Sequence, residues 1–586
     1  MKLEQKTEKI HEIRYVKRDF LYNNGLINAF LLLQKRPLGE EIESTNDKCI
    51  IRWKGIEIAL SQNSLSFACD YENLFEIYKF LMEKYFSSIL EETDHLRSYV
   101  SKDLKEVLIK PRINTKLFAS RVKIKNLQKE YSVEKIPYTV YKNLKEDVKK
   151  KEGEYKNFDK KFWYGDEKKI NEEKDVEVVV FRGIDEIGKA LSNNIVSLQR
   201  SNKDCMICGS PFTELLMKND RKKDICLESQ NLVFDFGYSP PINRDHRTNK
   251  KIPLCFMCDM FYRLSVIDNY FYNNSIFIFD LFSLIRLKEI KEELEITIDY
   301  KPRENKIRTN VSSKDLPISG PYSSLLNVLY HIYQKSKEKR GELFSELKGS
   351  QIIRFDMRSD SIDNCIFYNR LSYIFDLFEK IDRENLNNFF RTLIVYCYYK
   401  GQKKGSGIPR EEICKNILFQ FHIEPILSDV SYFYFSQKEP KNQRTLSTAY
   451  LCSFLGIYNE KIRRGIENMK YEELLKICST LGERIGYFAA DNEEKNLVYH
   501  IREIGNLERL VEYFRDFEYA VLKEDKGEIL NKIDENTGKK YGEIIGDILK
   551  VANEKTNISL IRDLLGIFAV QKYLSTKYAK SKSGGE

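Results

Sequence analysis

No stretch of this chain approaches the roughly 18 consecutive apolar residues that a membrane-spanning helix needs. The longest apolar run, Ser275 to Leu284, is broken by Asp280. The first residues, Met1-Lys2-Leu3-Glu4-Gln5-Lys6, lack the apolar core of a signal peptide. These absences point to a cytoplasmic protein without a membrane partner. In that compartment its 12 cysteines stay reduced, so closely spaced pairs indicate metal rather than disulfides. Histidine is scarce, with only His11, His95, His246, His331, His422 and His500. None is followed directly by aspartate, which excludes a His-Asp metal pair. The patterns G-x-x-x-x-G-K-[ST], G-x-G-x-x-G and H-E-x-x-H are all missing. With no convergent acid/base constellation, the chain reads as a non-enzyme.

The chain's 586 residues exceed what one hydrophobic core can organise, and roughly 100–200 residues per domain implies three to five domains. A 42% hydrophobic and 32% charged composition excludes wholesale disorder. The 36 tyrosines and 35 phenylalanines suit either aromatic cores or base-stacking surfaces, and composition does not separate the two. The net charge of +9 pulls weakly toward nucleic acid, although a Lys-rich coding bias produces the same figure.

The fold class expected is multidomain α+β: a mixed α/β N-terminal half, an inserted four-cysteine zinc-finger module and an all-α C-terminal bundle. Residues 1–115 form the α/β N-terminal domain. Here an apolar run to Leu33 suggests a helix, Ile50 to Leu60 alternates about Gly55 as a hairpin does, and Leu74 to Leu90 has helical spacing. Residues 116–200 are Lys-rich; they read as a solvated insertion whose acids dilute the field, with a phosphate-touching basic arm as the alternative. The cysteine module spans 201–262, and 263–440 is mixed but largely helical, with Leu325 to about Ile423 read as helical around a loop at 403–408. Pro409 suits the first turn of a helix. In the bundle, 441–580, the residues Ile501, Ile504, Leu507, Leu510, Phe514, Phe517 and Val521 step by three or four, as one buried helical stripe does. Tyr541 to Val551 and Ile558 to Tyr573 give two more helices, and 581–586 reads as a disordered tail.

The chemistry-bearing motif is a pair of knuckles, Cys205-Met206-Ile207-Cys208-Gly209 and Cys255-Phe256-Met257-Cys258. Two residues between cysteines let a tight turn aim both sulfurs at one ion, and two such turns supply the corners of a tetrahedron. Gly209 suits a turn that needs positive φ. The 46 residues between the knuckles must fold on themselves or loop outward. They hold Cys226 and His246, spare ligands that a complete four-cysteine set makes unnecessary. Four thiolates leave no open position for water, so the expected Zn²⁺ is structural. Within the same insertion Arg244, Arg247, Lys250 and Lys251 form a basic loop, read as phosphate contacts or simply as a solvated loop.

Two C-x-x-C knuckles with a long spacer, midway along a Lys-rich chain of this size, resemble the CXXC-CXXC family of CRISPR-associated proteins, the large subunits of the type I-B Cascade surveillance complex. Asp268-Asn269-Tyr270-Phe271-Tyr272-Asn273-Asn274 is similar to the family's aromatic, Asn-rich segment, and Asp19-Phe20-Leu21-Tyr22-Asn23-Asn24-Gly25 to its N-terminal signature. The resemblance implies a non-catalytic subunit that contacts the 5′ end of the CRISPR RNA and reads a flanking motif in target double-stranded DNA. It further implies that the subunit holds the unwound strands beside backbone, guide-processing and small Cascade subunits, and recruits a helicase-nuclease. A zinc-stabilised nuclease or other nucleic-acid-modifying enzyme is the alternative, since scattered carboxylates can gather around Mg²⁺. Relatives can also make their last helical domain separately; Met469 is either such an internal start or an ordinary helix-initial methionine.

Overall fold

A computed structural model describes residues 12–35, 39–92, 99–101, 105–109, 111–113, 133–136, 157–164, 176–218, 224–228, 253–265, 270–272, 275–293, 320–338, 345, 347–357, 362–397, 409–438, 443–462, 470–524, 526–552 and 555–583. The chain is mixed α+β and divides into two compact units, Met1–Ile307 with Lys335–Asn369, and Arg308–Gln334 with Arg370–Glu586. Among the described residues no helix is long and apolar enough to cross a membrane.

The first unit opens with strand β1 (Glu12–Val16) and helix α1 (Phe20–Gln34), then a meander of β2 (Gly39–Ser44), β3 (Lys48–Trp53), β4 (Ile56–Ser61) and β5 (Ser64–Ala68). The antiparallel order is β1-β5-β4-β3-β2. The expected hairpin is β3–β4: Lys54 and Gly55 both take positive φ, 48° and 84°, which matches the right-handed twist of the flanking strands. Helix α1 is buried from Tyr22 to Leu33 on every side, which explains its weak amphipathic pattern. The helix expected near Leu74 is α2 (Tyr71–Ile89).

Further strands are β6 (Leu90–Glu92), β7 (Tyr99–Ser101), β8 (Glu106–Ile109), β9 (Pro111–Ile113), β10 (Val133–Ile136), β11 (Asp159–Tyr164) and β12 (Val176–Phe181). Five of them form a sheet ordered β10-β12-β11-β8-β7, and β6 pairs with β9. Helix α3 (Ile184–Ser192) packs on α2. A three-stranded sheet follows, β13 (Ile195–Gln199), β14 (Glu214–Lys218) and β15 (Asp224–Glu228), then helix α4 (Phe256–Leu264). The unit closes with β16 (Tyr270–Tyr272), β17 (Ser275–Asp280), helix α5 (Leu284–Glu293), β18 (Gln351–Met357) and β19 (Ile362–Tyr368).

β18 and β19 correct the helical reading of this part of 325–423. The chain leaves the first unit, returns, and adds two strands beside β17 in the order β16-β17-β18-β19. Ile352 and Ile353 are buried there, and pairing to a strand some 75 positions earlier decides the conformation.

The second unit is helical. It comprises α6 (Pro321–Glu338, most of it), α7 (Leu371–Arg383), α8 (Asn387–Tyr396), α9 (Pro409–Phe419), α10 (Glu424–Phe435) and α11 (Thr448–Ile462). It continues with α12 (Tyr471–Asp491), α13 (Lys495–His500), α14 (Leu507–Lys523), α15 (Glu528–Asn531), α16 (Tyr541–Val551) and α17 (Lys555–Ser583). Pro409 begins α9 as expected. Helix α17 is the axis, packed on α12 and α10. Its Gln571, fully buried, receives the Leu446 amide at 2.7 Å and donates to Tyr396 at 2.7 Å and Ser431 at 3.0 Å. Gly486 lets α12 close on α17, since a Cβ there would lie 2.2 Å from the Ala569 carbonyl oxygen.

Two expectations change. The stripe from Ile501 to Val521 spans two elements: Ile501–Glu503 is a 3₁₀ turn, and α14 begins at Leu507, capped by the Asn506 side chain. Helix α17 also runs on to Ser583, into the stretch read as a tail. Met469 lies outside the described residues.

Candidate metal centre

The first knuckle is a turn tied at both ends. The Cys205 amide donates to Ser210 O and the Gly209 amide to Cys205 O, both at 2.8 Å. Gly209 sits at φ +75°, where a side chain is strained. The second knuckle starts α4. Cys255 is the N-cap, and its Sγ accepts from the Cys258 amide at 3.3 Å. Free amides at a helix start favour thiolate. A backbone bond from Met206 to Pro253 O, 3.1 Å, joins the two knuckles.

The four sulfurs of Cys205, Cys208, Cys255 and Cys258 all lie within 4.8 Å of one another, and Cys208 Sγ is 3.4 Å from Cys255 Sγ. Metal–sulfur bonds of about 2.3 Å put tetrahedral sulfurs about 3.8 Å apart, so the donor set fits one ion. Cys205, Cys255 and Cys258 are buried and Cys208 is exposed. Burial pushes the Cys255 and Cys258 thiols up from their ordinary value, so a metal must displace protons held there. The C-x-x-C pair at a helix start is like that of thiol-redox proteins, but here a second pair faces it, so that four sulfurs converge.

Helix α1 forms the wall of this site. Tyr22 is fully buried, with its hydroxyl 3.2 Å from Cys258 Sγ. Burial, reinforced by Cys258, pushes that phenol well above its ordinary value, so it remains protonated and can donate to a thiolate at Cys258. Tyr262 donates to Asp19 at 2.6 Å, and Asp19 caps α1 by accepting from Leu21 and Tyr22, both at 3.0 Å. Asn24 and Asn28 donate to Ser265 O at 2.6 Å and Leu264 O at 2.7 Å, satisfying carbonyls at the end of α4. Tyr15 and Tyr22 pack edge-on to Phe261 at 5.0 and 5.5 Å. The sequence shows an Asn-rich apolar helix in this segment; it does not show that these asparagines cap a helix some 240 residues away.

Cys226 is not a ligand. It lies on β15, 3.0 Å from Glu214, and the 46-residue insertion begins by folding on itself as the β14–β15 hairpin. Arg244, His246, Arg247, Lys250 and Lys251 lie outside the described residues, as do Asp268, Asn269, Asn273 and Asn274. No family model, curated protein or solved structure matches this chain.

Proposed function

We propose that the chain is a non-catalytic large subunit of a type I-B Cascade complex, with one structural Zn²⁺ on Cys205, Cys208, Cys255 and Cys258. The observation that carries the reading is the meeting of α1 and α4. The N-terminal stretch Asp19–Gly25 and the Cys255–Cys258 knuckle, which separately support the resemblance, are two walls of one site. Two independent coincidences would have no reason to touch. Four soft thiolates within 4.8 Å of one another favour zinc, and a closed set makes the ion a staple for the fold. The subunit then holds the 5′ end of the CRISPR RNA, reads a flanking motif in duplex DNA and helps recruit the helicase-nuclease.

Affinity purification of the tagged protein from its native cells, with sequencing of bound RNA, tests this. Short RNAs sharing one constant 5′ end, with a multi-copy protein along them, are expected. A monomer free of RNA refutes the reading, and metal-dependent cleavage of nucleic acid by the pure protein would favour the enzyme alternative.

A further inference from the structure

In the helical unit one face of α12 opens on a cavity of about 480 Å³. Lys476, Thr480, Glu483 and Tyr487 recur at intervals of three or four with Arg484 beside them, so a single helix face presents them all. The first turn of α11, Thr448 and Ala449, closes one side. Tyr487 and Tyr541 flank Arg484, with ring centres 5.8 and 5.6 Å from its guanidinium carbon.

The acids lining the cavity are already engaged. Glu483 lies 3.6 Å from Lys572, and Asp534 accepts from the Thr537 amide at 2.8 Å and hydroxyl at 3.0 Å. Lys476 and Arg484 form no ion pair among the described residues. With Lys572 paired to Glu483, Lys476 and Arg484 outnumber Asp534, and this net positive lining with a helix start suits a phosphate, while the exposed Tyr487 ring suits a planar base. The volume falls within the roughly 300–1,000 Å³ of small-molecule sites. An adjoining cavity of about 280 Å³ shares Arg484 and Tyr487.

We propose that this cavity binds a single nucleotide, its phosphate held by Lys476 and Arg484 and its base laid on Tyr487. Such binding requires no membership of Cascade. The test is fluorescence anisotropy of the full chain with a fluorescent adenosine monophosphate, competed with unlabelled adenosine monophosphate, inorganic phosphate and a single-stranded oligonucleotide. Saturable binding displaced by the monophosphate and by excess phosphate is expected, weakened about tenfold or more in Lys476→Ala and in Tyr487→Ala. Both side chains are exposed, so the variants keep the fold, and circular dichroism checks this. Absence of saturable binding, affinity unchanged in both variants, or displacement by the oligonucleotide alone would overturn the proposal.

Discussion

Gly25→Ala sets two physical effects against each other. Gly25 lies inside α1, where alanine is the better helix former by about 1 kcal/mol, so propensity alone makes the variant more stable. The tertiary structure demands the reverse. A Cβ at this position would sit 1.8 Å from Phe261 O and 2.5 Å from Phe261 C, both backbone atoms of α4. No rotamer relieves a clash between one helix's Cβ and another's carbonyl, so the helices must part by about 1.6 Å to reach ordinary contact. That movement stretches the Asn24 and Asn28 bonds to Ser265 O and Leu264 O, each worth about 1 kcal/mol, and the Tyr22 contact to Cys258. Overpacking of about 1–3 kcal/mol plus these losses, less the propensity gain, leaves about 3 kcal/mol of destabilisation. Denaturant unfolding of the metal-loaded protein reads this as a lower midpoint at unchanged slope. Thermal unfolding of the first unit reads it as a fall of about 4 °C. A variant as stable as the parent, or more stable, refutes this packing of α1 on α4.

Tyr22→Phe keeps the ring against Phe261 and Tyr262 but removes the hydroxyl at Cys258, and is expected to lower metal affinity about tenfold in chelator competition. Affinity unchanged by the substitution would mean that the hydroxyl does not serve the thiolate. Because burial raises the Cys255 and Cys258 thiols, metal affinity should fall as pH is lowered from about 8 to 6, with protons released on binding; a flat profile by chelator competition contradicts this. In the helical unit Lys526 at 2.7 Å and Lys580 at 2.9 Å hold the Asp491 carboxyl down to about 2, below its unfolded value of about 3.9. Asp491 therefore contributes stability above about pH 4 that is lost as pH falls toward 2. The contribution is small because the group faces solvent. The thermal-midpoint difference between the parent and Asp491→Asn should close between pH 7 and pH 2, and a constant difference would contradict the pairing.

The sequence by itself determined the features whose causes are local. Lys54-Gly55 between two alternating runs specifies a tight hairpin, and the apolar spacing around Leu74 specifies a helix. The C-x-x-C spacing specifies two sulfurs aimed at one point, so all four clustered cysteines are legible from spacing alone. Only the tertiary structure decided that α1 is the wall of that site, because Asn24, Gly25 and Asn28 are meaningful only against a helix some 240 residues away. Only long-range pairing decided that Gln351–Met357 and Ile362–Tyr368 are strands, since apolar and aromatic residues there fit a helix face equally well. The stripe at 501–521 shows the same limit in miniature: a spacing of three or four survives a break at Gly505-Asn506, because burial against one core, not helix continuity, selects the apolar residues.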